Sequence, residues 1–124
     1  MTALVIDASV APTRSDVLDG AETLHAPELI DIEMANIVRK SVLRRERSIE
    51  HGAAVLSAWA RNRVIRHSHA ALLDDIWALR GSITPYDASY VALASSLGIP
   101  LVTADRRLAA AARSHCDVVV IERP

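Results

Sequence analysis

The alternation of apolar and polar residues divides the chain into short buried runs separated by longer helical ones. Residues 3–7, which include Leu4-Val5-Ile6-Asp7, read as a fully buried strand closed by an acid. Pro12 and the polar stretch 13–16 break any early helix, and residues 17–23 can form only a short helical turn. His25-Ala26-Pro27 reads as a connector. Residues 28–45 carry apolar side chains at 29, 30, 34, 37, 38, 42 and 43, a helical spacing. Ser48 is placed to cap a second long helix running through Trp59, with apolar positions that include 49, 55, 56 and 59. Residues 63–66 form a short candidate strand, and 70–79 a helix that Gly81 stops. An amphipathic helix is predicted over 85–97, ended by Gly98 and followed by a buried strand at 100–103. Residues 106–113 are helical, and the β-branched run within 117–121 makes a terminal strand.

Short buried strands alternating with helices imply an α/β fold whose parallel sheet is covered on both faces. A chain of 124 residues suits one domain, taken as 1–124. Hydrophobic residues make up 51%, yet no apolar run approaches the roughly 18 needed to span a membrane. Met1-Thr2-Ala3 leads into the first strand without a basic region, so no signal peptide and a cytosolic location are expected. Cys116, the one cysteine, excludes an internal disulfide and a cysteine-rich zinc site, and reads as filler beside the last strand.

In parallel α/β sheets, ligands bind beyond the carboxyl ends of the strands. Asp7 and Asp105 both follow strands there, while Glu33 interrupts the apolar side of a helix and Asp87 opens another. Each acid also has a plain structural reading. Asp7 suits a turn, and Asp105 could cap the helix that follows it. In Thr84-Pro85-Tyr86-Asp87, Thr84 reads as the cap and Asp87 as its reciprocal partner. Glu33 is harder to account for that way. Leu29, Ile30, Met34 and Ile37 surround it at helical spacings, and a buried carboxylate is unfavourable unless paired or bound to metal. Four oxygen donors without nitrogen or sulfur suit Mg²⁺ or Mn²⁺, and such sites usually handle phosphates.

The net charge of −1 carries no general nucleic-acid signature. Basic residues are nonetheless clustered: Arg39, Lys40, Arg44, Arg45 and Arg47 late in one helix, Arg106, Arg107 and Arg113 on another, and Arg61, Arg63 and Arg66 between them. The first group could simply complement a helix dipole, or form a rim that holds phosphates, with Arg39, Lys40, Arg44, Arg45, Arg106 and Arg107 as RNA-binding candidates. His25, His51, His67, His69 and His115 form no obvious ligand set, and His67-Ser68-His69 reads as solvated or capping. Trp59 and Trp77 fall at apolar helical positions and are expected in the core. A receiver-like signalling module would also gather acids at strand ends, but it needs an acidic pair early and a lysine late, and Lys40 is the lone lysine.

Asp7-Ala8-Ser9, Glu33-Met34-Ala35-Asn36, Tyr86-Asp87-Ala88 and Thr103-Ala104-Asp105, in that order and spacing, resemble the PIN-domain ribonucleases. The nearer likeness is to VapC-type toxins of bacterial toxin–antitoxin pairs and covers residues 24–121, including Leu97-Gly98-Ile99-Pro100-Leu101-Val102-Thr103. The resemblance implies a PIN-like three-layer α/β/α fold with a central, mainly parallel sheet. It implies an endoribonuclease that uses Mg²⁺ or Mn²⁺, leaves 5′-phosphate and 3′-hydroxyl ends, forms a homodimer and is held inactive by a VapB-like antitoxin. Asp7, Glu33, Asp87 and Asp105 would be its catalytic, metal-binding acids, with Ser9 and Thr103 in support and Asn36 orienting Glu33. One departure stands out. Sixteen residues separate Asp7 from Leu24, fewer than such chains usually carry, and Pro12 breaks the helix normally launched after the first motif. A PIN-like fold kept for protein binding, with little catalysis, is the alternative this leaves.

Overall fold

Five strands run parallel in one sheet: β1 (Ala3–Ile6), β2 (Thr23–Pro27), β3 (Ile65–His67), β4 (Leu101–Thr103) and β5 (Val118–Val120), in the order β3-β2-β1-β4-β5. The structure, a computed structural model, describes residues 2–11 and 16–122. The break expected at Pro12 lies outside them. Leu4, Val5 and Ile6 point alternately to the two faces of β1, yet none is more than 3% exposed. Both faces of the sheet are therefore covered, which is the three-layer α/β/α arrangement. The sheet is parallel throughout the described strands rather than mainly so.

The helices are α1 (Asp16–Asp19), α2 (Leu29–Leu43), α3 (Ile49–Ala60), α4 (Leu73–Ala78), α5 (Pro85–Leu97) and α6 (Arg106–Ala112). Most boundaries follow local chemistry. The Ser48 hydroxyl accepts from the His51 N–H at the start of α3. Thr84 caps α5 with Pro85 in its first turn, and Gly98 ends it in the left-handed conformation at φ 67°. Residues Ala88 to Ala94 of α5 are buried without interruption, and this central helix packs on β1, β2 and β4. Helix α3 lies so close to α2 that a Cβ at Gly52 would stand 3.1 Å from both Val38 Cγ1 and Val42 Cγ2.

Three expectations need correction. His25-Ala26-Pro27 is not a connector: it belongs to β2, paired with β1 on one side and β3 on the other. Its alternation is Leu24 and Ala26 buried against Thr23 and His25 half-buried, a pattern too short to outweigh a polar histidine and a closing proline. The helix expected over 70–79 begins as a 3-10 turn, Ala70–Leu72, before α4 proper. Trp77 is 68% exposed and stacks with the Arg80 guanidinium at 4.8 Å, so it is not a core residue. Trp59 is half-buried. Its indole N–H donates to Asp31 at 2.7 Å, and Asp31 also takes the Nε–H of Arg66.

Strand order places the site. β1 sits between β2 and β4, so the chain leaves β1 to one side and returns to the other only after four more helices. The seam between β1 and β4 is the switch point where parallel sheets open a crevice at their carboxyl ends. Asp7 follows β1 and Asp105 follows soon after β4.

Candidate active site

Asp7 is 6% exposed and held from both sides. Its Oδ1 accepts the Ser9 backbone N–H at 3.0 Å and the Ser9 hydroxyl at 2.5 Å, while Oδ2 accepts the Thr103 hydroxyl at 2.5 Å. Ser9 Oγ in turn accepts the Ala104 N–H at 2.9 Å, and Thr103 Oγ1 accepts the Asp105 N–H at 3.0 Å. The two hydroxyls thus tie the loop after β1 to the loop after β4. Both were expected beside Asp7, and both hydroxyls hydrogen-bond its carboxylate.

Asp105 caps α6: its Oδ1 accepts the N–H groups of Arg107 and Leu108 at 2.9 and 3.2 Å. Capping and site duties are compatible here, because Oδ2 accepts no hydrogen bond among the described residues. Asp87, half-buried in the first turn of α5, likewise receives none on its side chain; its own N–H donates to Thr84 Oγ1 at 3.4 Å. Glu33 is half-buried on α2, and its Oε1 accepts the hydroxyl of Tyr90, which lies on α5 and is 1% exposed.

Electrostatics connect the four. Burial raises the Asp7 carboxyl above its ordinary value, opposed by the hydrogen bonds from Ser9 and Thr103. Burial also raises Glu33, and the charges of Asp87 and Asp7 push it further. Asp87 is raised by burial first, then by Asp105 and Asp7, with Arg107 pulling the other way. Four acids from four separate elements therefore share one field. Among the described residues no three acidic, histidine or cysteine side chains already close into a metal-binding cluster. The donor set is all oxygen, which fits Mg²⁺ or Mn²⁺ and not zinc.

The remaining expected residues divide. Asn36, thought to orient Glu33, is exposed and makes no side-chain hydrogen bond among the described residues. Tyr90 takes that place. The sequence carries one signal for it: a spacing of three from Asp87, which puts both on one face of the helix. Arg39, Lys40, Arg44 and Arg45 are exposed at and beyond the middle of α2. Lys40 and Arg44, seven and eleven positions after Glu33, follow its face along the helix. Arg106 is engaged by Glu122, whereas Arg107 is the arginine felt by Asp87. His67 is paired with His25, Nε2 to Nδ1 at 2.8 Å, and Ser68 Oγ accepts the Ala70 N–H at 3.3 Å in the capping manner.

A model of the PIN domain matches residues 3–114 of the chain. Ribonuclease VapC9 of Mycobacterium tuberculosis is 37% identical over 126 residues, covering 97% of this chain and 99% of that protein. The chain belongs to the PIN-domain family. Within it the likeness is to VapC ribonucleases: VapC1 of the same organism is 41% identical over 98 residues, 78% of this chain and 74% of that one. Among solved structures, PAE2754 from Pyrobaculum aerophilum has a TM-score of 0.67 at 25% identity, covering 95% of this chain and 90% of that chain. VapBC-5 from M. tuberculosis, described as a toxin–antitoxin family member, has a TM-score of 0.66 at 20% identity and covers 99% and 100%. The second is a likeness of fold.

Proposed function

We propose that this PIN-domain chain is an endoribonuclease of the VapC toxin type, and that Asp7, Glu33, Asp87 and Asp105 hold the divalent cation it works with. The observation that carries this reading is that burial raises the carboxyls of Asp7, Glu33 and Asp87 together, and that the charges of neighbouring acids of the set raise Glu33 and Asp87 further. Such an arrangement is unfavourable for the bare protein and is offset when a cation binds. Mg²⁺ or Mn²⁺ held there would lower the pKa of an attacking water and neutralise charge growing on the phosphate.

The chain's own groups do the rest. Ser9 and Thr103 fix Asp7 in one orientation, so it serves as the rigid member of the set. Asp87 and the outer oxygen of Asp105 carry no hydrogen bond from described residues and can turn toward a ligand. Lys40 and Arg44, on the Glu33 side of α2, and Arg107 near Asp87 would hold phosphates on either side of the scissile bond. The products expected by family likeness are 5′-phosphate and 3′-hydroxyl ends.

A VapB-like antitoxin, following the names of the VapBC structures, and a second copy of the chain, by family likeness, are the proposed protein partners. Ile32, Leu43, Ile49, Leu73, Trp77 and Tyr86 are all more than half exposed, apolar side chains that partners could cover. Among the described residues no helix is long and apolar enough to cross a membrane.

Cleavage of single-stranded RNA by the purified chain in Mn²⁺, compared with Asp7→Asn and with added chelator, tests the catalytic reading. Cleavage should disappear in both controls. Undiminished cleavage in Asp7→Asn and in chelator would overturn it.

A further inference from the structure

Glu33 and Tyr90 come from helices far apart in sequence, yet the phenol of one donates to the carboxylate of the other. No other described residue hydrogen-bonds the Glu33 side chain. Asp7 and Asp105 are secured from the loops that carry them, by Ser9, Thr103 and backbone N–H groups. Glu33 has no loop to secure it, since it projects from the body of α2. Its orientation depends on a partner from across the cleft.

Tyr90 is built for that task. Its ring is among the largest fully buried side chains of the molecule, so the hydroxyl is delivered from a fixed position. A phenol has one proton to give, and here it goes to Oε1. That contact occupies Oε1 and leaves Oε2 without a hydrogen bond from any described residue. Because Tyr90 follows Asp87 by three positions on α5, a shift of that helix would move two groups of the site together.

The geometry points to Tyr90 as the positioning residue for Glu33, presenting Oε2 to the divalent cation and keeping Oε1 out of its coordination. This rests on the metal-dependent reading above. It separates Tyr90 from a tyrosine that merely fills the core and finds an acceptor for its hydroxyl.

The test is a calorimetric Mn²⁺ titration of the full chain as wild type, Tyr90→Phe, Glu33→Ala and the double variant, each well below its own melting temperature. Phenylalanine refills the buried volume and removes only the hydroxyl. Tyr90→Phe should weaken Mn²⁺ binding about tenfold or more, as loss of a partner that orients a ligand does. Cleavage by that variant should recover most of its rate at saturating Mn²⁺, so the loss falls on metal affinity rather than turnover. In the Glu33→Ala background the same change should have no further effect. Unchanged Mn²⁺ affinity in Tyr90→Phe, with affinity lost in Glu33→Ala, overturns the role of Tyr90 and leaves the metal site standing. An equal loss in both backgrounds overturns it as well, because the hydroxyl would then act without Glu33. A wild-type chain that takes up no Mn²⁺ overturns both readings.

Discussion

Thr103, with no solvent exposure at the end of β4, donates its hydroxyl to Oδ2 of Asp7 at the end of β1. The bond spans 96 positions of sequence and joins the two loops that frame the candidate site. Thr103→Val keeps the shape and deletes the donor. A buried acceptor left without its partner costs about 1–3 kcal/mol, and denaturant melts should show a loss in that range. RNA cleavage should fall with it, and Thr103→Ser should restore most of both. Full activity and stability in Thr103→Val would reduce the threonine to ordinary strand packing.

The raised carboxyls make the metal-free protein sensitive to pH in a definite direction. Asp7, Glu33 and Asp87 hold their protons in the fold at pH values where the unfolded chain has lost them. The folded state therefore binds more protons, and its stability declines as pH rises from the ordinary carboxylate range, about 4, through the raised values. In chelator, the melting temperature should be higher near pH 5 than near pH 8 on this account. Saturating Mg²⁺ or Mn²⁺ should erase or reverse the difference, since the cation favours the ionised acids. A melting temperature that climbs with pH in chelator would contradict the clustered-acid description.

Arg45 adopts φ 61° just past the end of α2, where glycine is the usual residue. Glu46 N–H donates back to Ser41 at 2.9 Å and Arg45 N–H to Val42 at 3.0 Å, so the turn itself demands the left-handed backbone. Arg45→Gly should stabilise the chain by about 1 kcal/mol in denaturant melts. RNA affinity should weaken at the same time, which would explain an arginine in an unfavourable conformation. Stability gained with RNA binding unchanged would remove Arg45 from the phosphate rim.

The basic groups should differ in their effect on RNA. Lys40→Glu and Arg44→Glu each lose a phosphate contact on the Glu33 side of α2, and each should reduce the single-strand salt slope by roughly 0.7. Arg106→Glu should change it less, because that guanidinium is already engaged by Glu122. Equal slopes for all three variants and the wild type would leave the α2 cluster as a solvated helix end.

Strands β1, β4 and β5 and the longer helices were legible in the sequence because each carries a pattern that one physical rule explains. The acids were legible for the same reason: each stands where a strand or helix ends, or where an apolar face is interrupted. β2 was not, since a polar histidine interrupts its buried positions and the last of them is a proline. Trp77 misled because helical spacing places a residue on a face but does not say whether anything packs there. The Tyr90–Glu33 pairing was out of reach for a related reason. Sequence gives the face from which Tyr90 leaves α5, but only the folded arrangement, in which α5 and α2 both pack on β2, brings that face to Glu33.

The β1–β4 seam also governs when the site can exist during synthesis. Asp7, Glu33 and Asp87 are all made before β4, yet Asp7 is held by Thr103 of that strand and Asp105 follows it. A nascent chain that has not yet emitted Leu101–Thr103 cannot lay that strand beside β1, and it lacks Thr103 and Asp105 altogether. Pairing strands so distant in sequence closes a long loop and belongs to the slow, late part of folding. The four acids therefore come together only after β4 has been made and laid beside β1.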